Sequence, residues 1–152
     1  MTHSERQQFD FYILQSMQYL RFACRLLSKA YQQHYRAIAF CEDEDTAKEF
    51  DRMLWTFKDI SFIPHQIITS DDELNKTPIC IWTGRPDDLH GDTADFFDLA
   101  LCLTPHITPE QINCPRVAYV IPEEDDWKQM GRYYYKRLQQ NAANVQVHKM
   151  NE

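Results

Sequence analysis

Four short runs of this chain, RAIAFC (36–41), PICIW (78–82), DLALCLT (98–104) and RVAYVI (116–121), are apolar with almost no interruption. A strand that covers a core with one face alternates polar and apolar residues. A strand without that alternation is buried on both faces, as in a parallel sheet with helices above and below it. Pro, Gly and Asx residues bound each run, so we read the runs as central strands. FDFYIL (9–14) is a fifth run of the same kind, and VQVHKM (145–150) alternates well enough for an edge strand.

Helical spacing fills the gaps between these runs. Over 17–34, Leu20, Cys24, Leu27 and Tyr31 recur at i, i+4, i+7 and i+11, while Arg21, Arg25 and Lys29 fall outside that stripe. EDEDTAKEFDRMLW (42–55) opens with acids, which suit the positive end of a helix dipole. A third helix is expected over about 126–140. Strands alternating with helices predict an α/β fold: one domain spanning 1–152, a mostly parallel sheet, right-handed crossovers and helices on both faces. Residues 84–97, GRPDDLHGDTADFF, read as a surface loop.

Such sheets commonly hold nucleotides at the carboxyl ends of their strands. The residues argue against one here. Phosphate-cradling loops need glycines to bring backbone N–H groups close to the anion. The chain has three, Gly84, Gly91 and Gly131, and none follows a strand in that context. After the second strand comes CEDED (41–45), which repels phosphate. Asp43 and Asp45 could form a carboxylate pair for Mg²⁺ or acid–base work, against the simpler role of helix capping. A Cys41–His65 nucleophile is a second catalytic arrangement that spacing alone does not support.

The five cysteines are widely spaced in apolar segments and read as buried thiols of a reducing compartment. The six histidines lack metal-ligand spacing, so neither a metal nor a cofactor is expected. Apolar runs fall far short of the roughly 18 residues of a membrane span, and MTHSERQQ is too polar for a signal peptide, so a cytoplasmic protein is expected. A net charge of −7 disfavours broad contact with DNA.

Two segments look like interaction surfaces. In DDWKQMGRYYYKRLQQ (125–140), Lys128, Arg132, Tyr135 and Lys136 share one helical face, and Trp127, Met130, Tyr134 and Leu138 share another. Cations beside a tyrosine ring suit a short acidic peptide, although a solvated helix end has the same composition. MLWTFKDISFIPHQII (53–68) concentrates large apolar residues where a helix ends, either as core or as a docking patch. Three readings follow: a protein–protein adaptor, a small metal-dependent α/β enzyme using Asp43 and Asp45, and a direct nucleic-acid binder.

AFCEDED, DRMLWTFKDISFIPH and VIPEEDDWKQMGRYYYKR, in this order and spacing, resemble the chi subunit of bacterial DNA polymerase III. The resemblance covers most of the chain; LW followed by SFIPH and the P-x-x-D-x-x-K-Q-x-x-R-x-x-Y-K series from Pro122 to Lys136 are its most specific pieces. It implies a Rossmann-like domain without nucleotide chemistry and a non-catalytic accessory subunit. Its partners would be the psi subunit, which joins it to the clamp loader, and the acidic C-terminal tail of single-stranded DNA-binding protein, with DNA contacted indirectly. An iron–sulfur helicase is a further partner in some relatives. Carried over by position, the tail site would be Lys128, Arg132, Tyr135 and Lys136, with Ile121 lining the pocket for the tail's terminal phenylalanine and Arg132 clamping its carboxylate. The psi surface would comprise Trp55, Phe62, Pro64 and His65.

Overall fold

All five residues of AIAFC are buried, and they point alternately to opposite faces of the sheet. Ala37, Ala39 and Cys41 enter one core and Ile38 and Phe40 the other. The computed structural model describes residues 7–57, 64–70, 73–89, 96–141 and 143–151. Along the chain these form β1 (Gln8–Ile13), α1 (Tyr19–Gln32), β2 (Ala37–Cys41), α2 (Glu44–Thr56), β3 (His65–Ile67), β4 (Ile79–Trp82), β5 (Leu99–Leu103), β6 (Arg116–Ile121), α3 (Asp125–Gln140) and β7 (Asn144–Lys149). Short 3-10 turns occupy Pro86–Asp88 and Pro109–Gln111.

The strands form one sheet in the order β3-β4-β2-β5-β6-β1-β7, with every neighbouring pair parallel. The predicted α/β, Rossmann-like architecture is what the residues build. On one face α1 and α2 bury Leu20, Cys24, Leu27, Ala47, Phe50 and Leu54 against the sheet. On the other, α3 buries Trp127, Tyr134 and Leu138.

The structure differs from the sequence reading in three places. His65–Ile67 is a three-residue edge strand, too short to show periodicity inside an apolar segment. Residues 90–95 of the expected surface loop 84–97 lie outside the described residues; of the rest, Pro86, Leu89 and Phe97 are buried, and Leu89 and Phe97 join one core. Tyr31, the last member of the expected α1 stripe, is 39% exposed, and Ala30 completes the buried face instead.

Two tyrosine hydroxyls, one on α3 and one on β6, tie these elements to the segment after β5. Tyr134 donates to the carbonyl of Pro105 and Tyr119 to that of Ile107, both at 2.8 Å, so each buried phenol has an acceptor. Burial pushes both phenols above their usual pKa.

Candidate functional site

Gly131 faces the Ile121 side chain where α3 crosses β6. A Cβ at this position would stand 2.5 Å from Cδ1 of Ile121, inside any permissible contact, so a glycine here lets the helix settle on the strand. Beside that close contact the sheet continues under open space, because β1 and β7 lie beyond β6. The result is a cavity of about 350 Å³ between α3 and the outer strands.

Strand register sets its floor. Ile121, Ile13 and Lys149 stand in one row across β6, β1 and β7, and Tyr119, Phe11 and Val147 in the next row on that face. Phe11 stacks on Tyr119 at 5.0 Å and meets the edge of Tyr135 at 5.9 Å and 84°, which places the Tyr135 ring as a wall. The Tyr135 hydroxyl accepts from Gln139 Nε2 at 2.9 Å. Lys128, Arg132 and Lys149 complete the lining, and no acidic side chain belongs to it.

The structure therefore brings Ile121, Lys128, Arg132 and Tyr135 to one cavity at the carboxyl ends of three strands, where open α/β sheets bind ligands. Lys128 is partly committed, since its ammonium pairs with Glu123 and keeps 23% of the side-chain exposure. Arg132 is exposed and makes no ion pair among the described residues. Lys136 shares the exposed side of α3 but lies outside the lining. The next basic residue, Arg137, turns away to Glu110 and lies 5.4 Å from the Tyr133 ring.

Sequence reasoning missed Gly131, Phe11, Ile13, Val147 and Lys149. The β7 residues carried a strand signal, but their place under α3 depends on pairing with residues more than a hundred positions earlier. An apolar floor rimmed by cations suits one kind of group: a ring or branched alkyl chain carrying a carboxylate. An apolar cavity of about 150 Å³ is enough to hold a benzene ring, so this space accepts a phenyl group and part of its neighbour.

The second predicted surface is built differently. Trp55 is 50% exposed at the end of α2, and its ring centroid lies 4.0 Å from that of His65 at 42°. His65 is buried on β3 with Nε2 3.6 Å from Asp51 Oδ1, and Pro64 is exposed beside it. Trp55, Pro64 and His65 are thus brought together; Phe62 lies outside the described residues.

The catalytic arrangements fare worse. Asp43 caps α2, its Oδ1 accepting from the Thr46 N–H at 2.8 Å, and that backbone bond holds its carboxyl below the usual pKa. His65 and Ala37 both stand level with Ile79, so His65 lies at the amino end of the sheet while Cys41 lies at the other end of β2, about 13 Å further along by strand rise. Burial pushes the Cys41 thiol up to about 12, away from a nucleophile's range. No cluster of three metal-ligating side chains occurs among the described residues.

Between the diverging loops after β2 and β5, where such a fold would place a phosphate, stands the Glu42 carboxylate. It takes a hydrogen bond from Thr104 and contacts His106 Nδ1 at 2.8 Å. Among the described residues no helix is long and apolar enough to cross a membrane.

Residues 7–146 match the family described as DNA polymerase III chi subunit, HolC. The chain is 31% identical over 144 residues to a Pseudomonas aeruginosa protein named DNA polymerase III subunit chi, covering 93% of this chain and 95% of the relative. It is 27% identical over 128 residues to the Escherichia coli protein of the same name, covering 80% and 79% respectively.

Proposed function

The chain belongs to the chi-subunit family of DNA polymerase III, accessory rather than catalytic subunits, and from that premise we propose that it is an adaptor with two docking surfaces. The α3–β7 cavity receives the acidic C-terminal tail of single-stranded DNA-binding protein. The surface around Trp55 and His65, with Phe62 next to it in sequence, docks the psi subunit and so reaches the clamp loader. In this reading the protein works in the cytoplasm at the replication fork and contacts DNA through its partners.

One observation carries the tail assignment. In a protein of net charge −7, a cavity with an apolar floor is lined by three cations and no acid. A terminal phenylalanine puts a carboxylate and a ring on one residue, which matches cations standing directly beside the apolar surface of Ile13 and Val147 in a cavity of this size.

Fluorescence anisotropy with a labelled peptide of several acids ending in Pro-Phe tests this reading. Wild type should bind, Arg132→Ala should lose about 1.5–3 kcal/mol as a charge-assisted bond is removed, and added salt should weaken the complex. Unchanged binding by Arg132→Ala together with Lys136→Ala would remove the assignment.

A further inference from the structure

Two of the three cations at the cavity come from α3, where the sequence pattern concentrates positive charge. The third comes from the opposite wall. Lys149 ends β7 in the row of Ile13 and Ile121, so its side chain rises from the floor of the cavity at the side away from the helix. Val147, two residues earlier, is the apolar surface next to it and is 39% exposed, high for a valine within a sheet.

The alternate residue, His148, holds the strand from the other face. Its Nε2 lies 2.8 Å from Oδ1 of Asp10, and its ring stacks on Tyr12 at 4.7 Å and 15°. Asp10 is 4% exposed and is also approached by Arg116 at 3.6 Å and by Gln8 Nε2 at 3.2 Å. An edge strand has one paired neighbour and would otherwise fray. This cluster around the buried Asp10 fixes its register, and a slip of one residue would turn Val147 and Lys149 out of the cavity and His148 into it.

We propose that β7 is a binding element, with Lys149 acting opposite Arg132 as a second cation that makes the cavity selective for a free terminal carboxylate on an apolar residue. This rests on the peptide reading above and adds a specificity determinant to it. An internal Asp or Glu extends its charge on a side chain, with the main chain continuing past it. A terminal residue offers its carboxylate on the same carbon that carries the ring. With the ring on Ile13 and Val147, cations on both walls can face that one group, and an internal acid cannot bring its charge there without burying the following peptide.

The experiment compares two peptides of identical sequence, acidic and ending in Pro-Phe, one with a free carboxylate and one amidated. Each is titrated against wild type, Lys149→Gln and Lys136→Gln at fixed salt. Wild type should prefer the free acid by about tenfold or more. Lys149→Gln should weaken the free acid about twofold to fivefold and the amide by a smaller factor, so that the preference shrinks; exposed to half-exposed charge pairs support changes of this size. Lys136→Gln, outside the cavity, should lower both peptides alike and leave the preference intact. Equal loss of both peptides in Lys149→Gln, or no loss of either, would overturn the role of Lys149 while leaving the peptide site standing. Failure of wild type to bind the free acid would overturn the peptide site and this inference together.

Discussion

The two surfaces at opposite ends of the strand order differ in shape before they differ in chemistry. Beyond β6, α3 covers the carboxyl ends of the outer strands only in part, leaving Val147 39% exposed, so the sheet itself becomes a floor and the surface is concave. Near β3, α2 ends over the edge strand, and the half-exposed Trp55 leans on a buried histidine, so an indole stands out from the surface. A concave site with charges at its rim fits a narrow, flexible chain end. A projecting aromatic supported from beneath fits a pocket on a folded partner, because aromatic anchors are effective when the partner removes them from water. One fold thus presents two unlike surfaces by covering its sheet incompletely on one side and ending a helix early on the other.

Perturbations can break this pairing at several levels. The largest is loss of both surfaces with the common core. Burial raises the thiols of Cys24 and Cys41 from 9.0 to about 12. A raised folded-state pKa means that their contribution is full below the unfolded value near 9 and is lost as pH rises through the folded value. Stability in urea should therefore fall progressively between pH 9 and 12, and thiol-directed reagents at pH 7 should react slowly with the native protein.

Gly131→Val should separate the surfaces. Its side chain would drive Ile121 into the cavity, with an overpacking cost of about 1–3 kcal/mol, and tail-peptide binding should disappear while psi still binds. The converse variant is Trp55→Ala, expected to weaken psi by about 2 kcal/mol or more as an interface anchor is lost and to leave peptide affinity within about twofold. The smallest effect sharpens the limits of the cavity. Tyr135→Phe keeps the ring wall on Phe11 and removes a hydroxyl whose recorded contact is with Gln139, so peptide affinity should change by less than about 0.5 kcal/mol, readable by calorimetry.

The sequence patterns that proved readable were those set by neighbours along the chain. AIAFC and RVAYVI announced buried strands because burial on both faces removes alternation, and α3 could be divided into faces because residues three and four apart lie together. The Asp43 cap was readable for the same local reason. What stayed hidden depended on distant pairing. VQVHKM identified an edge strand, yet only the alignment of Phe11 with Val147 and Ile13 with Lys149 puts it beneath α3. Gly131 looked merely like a glycine without a phosphate loop until Ile121 stood against it. Lys136 obeyed the helical spacing and still lies outside the cavity, because periodicity gives a face and not where the opening beside that face ends. The strand at His65–Ile67 was concealed by its own brevity within an apolar stretch.

The proposed function requires two separate surfaces, with the acidic tail on the concave one. Titrating the free-acid peptide into ¹⁵N-labelled protein tests it most directly. Shifts should concentrate at the amides of Gly131, Arg132, Val147 and Lys149, with the indole N–H of Trp55 unmoved. Shifts centred on Trp55 and His65, or none around Gly131 at saturating peptide, would contradict it.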